Sequence, residues 1–101
     1  MKYNHHFTVR LNTGEIKEQD RISASVPEFI ADMIVFGELE PNQIVNIRRD
    51  SIYEDGKTHT YEAKEEDSIK KVLEAALTTL NEYKFWVNIA RKDIEAYLDI
   101  S

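Results

Sequence analysis

The chain has 101 residues, a net charge of −6 and no cysteine, which implies one domain with a single core and rules out disulfides, thiolate metal sites and a cysteine nucleophile. Ile, Leu, Val and Phe supply 27 residues against 3 Gly and 2 Pro, too apolar and too poor in breakers for a disordered chain. The longest apolar run, Met33 to Phe36, is four residues, far below the roughly 18 to 20 of a membrane-spanning helix, and the absence of a secretory-type apolar stretch at Met1–Arg10 predicts a cytoplasmic protein.

Tyr3 to Leu11 alternates with period two, placing Tyr3, His5, Phe7, Val9 and Leu11 on one side of a half-buried strand. Asn12-Thr13-Gly14 supplies turn chemistry, so Ile16 is expected to return opposite Leu11 in a hairpin. A two-residue register then sets Val9 against Glu18 and Phe7 against Asp20, two carboxylates on an apolar face. That conflict predicts a second strand that is short, bulged or a polar edge ending near Lys17.

Ser25-Val26-Pro27-Glu28 has the capping-box spacing, with Pro tolerated in the first turn. Val26, Phe29, Ile30, Met33 and Ile34 continue it as the apolar stripe of a helix that stops at Gly37. Ile44 to Tyr53 and Thr58 to Ala63 form a second hairpin around Asp55-Gly56. The register across that turn pairs Tyr53 with Thr58, Ile52 with His59, Ser51 with Thr60 and Asp50 with Tyr61. The apolar phase slips between Ile47 and Ile52, which a bulge near Arg49 would restore.

From Asp67 onward there is neither Gly nor Pro, and Ile69, Leu73, Ala76, Leu80, Tyr83, Val87, Ala90, Ile94 and Tyr97 advance by fours and threes. One continuous helix would be about 46 Å long and would project from a domain of this size. The favoured expectation is a helix to about Tyr83, a bend and a second helix. A strand over Lys84 to Ile89 and a long dimerising helix are the alternatives. The order β, β, α, β, β, α, α predicts an α+β domain over residues 1–101: a small, mostly antiparallel sheet of two hairpins, with one short helix and a long or broken C-terminal helix on one face.

Charge is unevenly placed: residues 12 to 67 carry 14 acids and 6 bases, whereas the two ends together carry 5 acids and 7 bases. Such a middle repels polyanions, so direct nucleic-acid binding is disfavoured despite Lys70, Lys71, Arg91 and Lys92, and a basic protein partner is expected. Glu65, Glu66 and Asp67 also suit a helix N-terminus. Glu54, Asp55 and Glu62 need another reason, and all six acids are expected to face the partner, with Trp86 as an aromatic anchor.

His5 beside Asp20 has the form of a general base, and His59 could join it with a carboxylate around a metal ion if the hairpins were staggered suitably. No nucleophile motif, phosphate loop or local metal spacing accompanies them. The histidines are therefore expected to be structural, with no cofactor and no metal, and a small acid–base or metal-dependent enzyme is the weakest expectation. The remaining C-terminal apolar residues, Tyr83, Phe85, Trp86, Val87, Ile89, Ile94, Tyr97, Leu98 and Ile100, are expected mostly in the core, with any surplus forming a homodimer seam.

In size, acidity and lack of catalytic motifs the chain is similar to small inhibitors, immunity proteins and phage-encoded anti-defence proteins. The leading expectation is a non-enzymatic inhibitor or regulator that occludes a basic surface, such as that of a nucleic-acid-binding protein. The alternative is an assembly protein that dimerises through its C-terminal helices.

Overall fold

A computed structural model describes residues 4–83 and 87–99. Strands β1 (Asn4–Leu11) and β2 (Ile16–Arg21) precede α1 (Val26–Val35) and a 3₁₀ turn at Pro41–Gln43. Strands β3 (Ile44–Ile52) and β4 (Thr58–Ala63) follow, then α2 (Glu66–Glu82) and α3 (Asn88–Leu98). The two expected hairpins join through β1 and β3 into one antiparallel sheet of order β2-β1-β3-β4, giving the expected α+β fold.

Both hairpins lie one residue away from their predicted registers, for one reason. Leu11 donates to the Glu15 carbonyl and Tyr53 to the Lys57 carbonyl, each at 2.9 Å. Each loop therefore holds three residues and ends on a left-handed glycine, Gly14 at φ +91° and Gly56 at φ +82°, the arrangement of a turn followed by a glycine bulge. Val9 consequently pairs with Lys17, Phe7 with Gln19 and His6 with Asp20. Because side chains alternate with period two, this shift carries Glu18 and Asp20 off the apolar face, and β2 continues to Arg21 instead of ending near Lys17. In the second hairpin Ile52 pairs with Thr58, Ser51 with His59 and Asp50 with Thr60, correcting each expected pair by one position.

The bulge expected near Arg49 is absent. Arg49 pairs regularly with Phe7 and Tyr61, and the irregularity in β3 lies where Arg10 pairs with Asn46 but Leu11 pairs with Ile44. The apolar phase slips because Arg49 and Ser51 take the helix-facing positions after Ile47, while Ile52 faces outward and is 54% exposed.

The helices cover the sheet face that carries His5, Phe7, Val9 and Leu11, all buried. Phe7 stacks on Phe29 of α1 with ring centroids 4.5 Å apart. Ile30 and Ile34 of α1, Leu73 and Leu80 of α2 and Ile94 of α3 complete that core, whose burial is the main stabilising term. As expected, Ser25 caps α1 by accepting from the Glu28 amide at 3.2 Å. The Glu28 carboxylate lies 3.7 Å from Arg21. The C-terminal segment is a helix pair, which excludes one long helix, and Asn88 and Ile89 lie in α3, which removes the strand alternative there. The rest of that alternative, residues 84–86, lies outside the described residues.

Candidate functional site

The predicted acids are not gathered into one patch. Glu54 and Asp55 sit in the β3–β4 turn, and Glu65, Glu66 and Asp67 sit at the start of α2. Between the two groups runs β4, six residues long, which separates them by about 20 Å. Glu62 stands within β4 on the sheet face that no helix covers, accepting a hydrogen bond from Asn46 Nδ2 at 2.9 Å.

Internal neutralisation reaches some of these carboxylates and spares others. Glu66 pairs with Lys70 at 3.3 Å and Glu38 with Lys17 at 3.4 Å. Asp50 accepts from Arg48 Nε at 2.9 Å, a contact that, with the Thr60 hydroxyl, holds its carboxyl below the usual range. Asp55 Oδ1 accepts from the Lys57 amide within its own turn. Among the described residues no ion pair engages Glu54, Asp55, Glu62, Glu65 or Asp67. Trp86, the expected anchor, lies outside the described residues.

The uncovered sheet face carries an arrangement that the predicted register had concealed. Asp20, His6, Asp50 and Thr60 form a row across all four strands. His6 Nδ1 donates to Asp20 Oδ1 at 2.7 Å and Nε2 donates to Glu18 Oε1 at 3.0 Å. Carboxylates only accept, so a ring bonded to both must carry both protons. The Asp20 and Glu18 hydrogen bonds raise the His6 pKa above its ordinary value. Asp20 is thus the partner of His6 and not of His5, which corrects the expected base pair. The exposed alternation of His6, Thr8 and Arg10 was visible in the sequence; the three-residue loop that aims Asp20 at His6 was not.

On the opposite face, His5, Ser51 and His59 form a row across β1, β3 and β4. His5 Nδ1 is hydrogen-bonded to Ser51 Oγ at 2.7 Å, with His5 3% and Ser51 0% exposed. Burial, and secondarily the charge on Arg49, push the His5 pKa down. A neutral imidazole beside a serine has the composition of a nucleophile pair, but this hydroxyl is closed off from solvent. His59 is exposed and lies edge-on to Tyr53, with ring centroids 5.0 Å apart. Among the described residues no three His, Asp or Glu side chains are placed to hold a metal ion.

Most of the C-terminal apolar residues join the core. Val87 and Ile94 are buried, and Tyr83, Tyr97 and Leu98 pack partly buried against it. Ile89 at 78% and Phe36 at 78% remain exposed; Phe85 and Ile100 lie outside the described residues. Tyr83 serves a polar network, donating to Asp32 Oδ1 at 2.6 Å while Asp32 Oδ2 accepts from Arg21 at 2.6 Å. Among the described residues no helix is long and apolar enough to cross a membrane. No protein-family model, curated protein or solved structure matches the chain.

Proposed function

We propose that the protein is a non-enzymatic interaction module, an inhibitor or regulator that docks its acidic side on a basic surface of another protein and blocks it. The observation that carries this reading is the set of carboxylates that make no ion pair among the described residues at both ends of β4, Glu54 and Asp55 at one end and Glu65 and Asp67 at the other, with Glu62 between them. Lys57 and Lys64 stand among these acids and Arg48 lies across the strand from Glu62, but the acids are in excess, and a net negative edge steers association with a basic partner and opposes nucleic acid. The burial of Ser51, the serine bonded to a histidine, supports a non-catalytic role. A cytoplasmic setting and a nucleic-acid-binding protein as target fit the same acidity.

The test is affinity capture of the partner from the native cell, followed by association kinetics at two salt concentrations. Reversing Glu54, Asp55 and Glu62 to Lys is expected to slow association at least about tenfold at low salt and far less at high salt. Association rates indifferent to all three reversals would overturn the proposal.

A further inference from the structure

The sheet has two edges, β2 and β4, and they are built differently. On β2, Lys17 and Arg21 occupy helix-facing positions and are clamped there. Lys17 lies 3.1 Å from Glu15 and 3.4 Å from Glu38, and Arg21 lies 2.6 Å from Asp32. Charges directed inward on an edge strand discourage the addition of another strand.

No such guard stands on β4, whose helix-facing residues are His59, Tyr61 and Ala63 and whose outward residues are Thr58, Thr60 and Glu62. Between the exposed Lys57 and Lys64 that bracket it, the strand contains no Lys, Arg or Pro, and Thr and Tyr suit an extended strand. Its backbone is also unoccupied on the solvent side among the described residues. Counting by twos from the Tyr53–Lys57 bond, His59, Tyr61 and Ala63 bond to β3, which turns the N–H and C=O groups of Thr58, Thr60 and Glu62 outward. Among the described residues no hydrogen bond reaches those groups. Beside this edge, Tyr61 borders an open cavity of about 390 Å³ lined by Val26, Val72 and Ala75 together with Arg49 and Lys71, so an apolar side chain of an occupant, not a basic one, would enter it.

We propose that β4 receives an extended segment of the partner protein as a fifth strand. The inference rests on the acidic-docking reading and specifies how that contact is made: main-chain hydrogen bonds along β4 give affinity, and charge selects the occupant. The occupant is a segment with a β-branched centre about as long as β4 and with Lys or Arg at both ends, facing Glu54 and Asp55, which outnumber Lys57, at one end and Glu65 and Asp67, which outnumber Lys64, at the other. A second copy of this chain is disfavoured on the same grounds. Antiparallel pairing of two β4 strands sets the turn acids of one copy against the helix-start acids of the other, and parallel pairing sets each acidic end on its own kind.

The probe is the synthetic peptide Lys-Lys-Val-Thr-Val-Thr-Val-Lys-Lys, with two versions N-methylated on alternate backbone amides. It is titrated into the full-length ¹⁵N-labelled protein at low salt. Bound peptide should slow amide exchange at Thr58, Thr60 and Glu62 at least tenfold. One methylated version should lose binding, because its methyl groups fall on the bonded edge, and the other should bind like the parent. The Glu54→Lys/Glu65→Lys variant, whose altered side chains make no ion pair among the described residues, should lose at least tenfold in affinity.

Equal binding by both methylated versions, or no slowing at those three amides, overturns strand addition. It leaves the acidic-docking reading standing if the charge variant still weakens binding. Binding that is sensitive to methylation but indifferent to the charge variant overturns the electrostatic reading instead. No binding of the parent peptide at millimolar concentration overturns both. Sedimentation of the protein as a dimer that protects the same amides replaces the proposed occupant with a second copy.

Discussion

Asp32 ties three elements together, and removing it should be among the costliest single changes outside the apolar core. From α1 its carboxylate accepts from Arg21 of β2 and from the Tyr83 hydroxyl at the end of α2, each at 2.6 Å. Asp32 is 25% exposed and Arg21 19% at their side chains, so solvent screens the pair only in part. Hydrogen bonds to charged groups contribute about 1.5–3 kcal/mol each. With both taken near the lower end for that exposure, Asp32→Ala should cost about 2–4 kcal/mol, because it takes the acceptor from a phenol and leaves a half-buried guanidinium only Gln19 at 3.3 Å and Glu28 at 3.7 Å. At 4–8 °C per kcal/mol for a domain near this size, Tm should fall by roughly 8–32 °C. Asp32→Asn keeps an acceptor for Tyr83 but loses the charge facing Arg21, and should cost about half as much. Urea unfolding with unchanged m-values measures both variants, and a double-mutant cycle with Tyr83→Phe should give a coupling of about 1 kcal/mol. An Asp32→Ala protein within about 0.5 kcal/mol of the wild type would refute the argument that this carboxylate joins the layers.

His5 and His6 are adjacent in β1 yet should titrate in opposite senses, as histidine NMR shifts would reveal. For His6, whose folded pKa is raised by Asp20 and Glu18, the stabilisation is fully present below the unfolded value of about 6.5 and is lost as pH rises through the folded value. For His5, whose folded pKa is lowered by burial, stability is unaffected above about 6.5 and declines as pH falls toward the folded value. His6→Ala should abolish the loss on the alkaline side alone, and two histidines titrating together would contradict the two-faced placement. Gly56→Ala should cost about 1–2 kcal/mol through backbone strain alone, since φ is +82° and the space around an added Cβ is open. Gly56→Asn should recover much of that loss, and a urea midpoint for the alanine variant equal to wild type would refute the left-handed assignment.

The elements were legible in the residues because their causes are local. Alternation over Asn4–Leu11, Ser25 before the stripe of α1, and the three-four spacing from Ile69 to Tyr97 each depend on near neighbours, whereas the break after Tyr83 is expected from the length one continuous helix would have. The site was only partly legible. The acids at both ends of β4 were picked out, but their separation along an open edge depends on the sheet order, which no local pattern encodes. The registers misled because two-residue and three-residue glycine loops use similar residues, while one position of difference exchanges the faces of a strand. That single displacement decides whether Asp20 meets His5 in the core or His6 in water.

The sequence by itself determined that this is one acidic α+β domain, where α1 starts and stops, and that β1, β3 and β4 are strands, all consequences of short-range periodicity and backbone preference. Only the tertiary structure decided which carboxylates are neutralised, that Arg49 and Ser51 face the helices, and that β4 is left as an unguarded edge. These outcomes depend on contacts between residues far apart in the chain, where hydrogen-bond geometry and burial select one register from several that the local pattern permits equally.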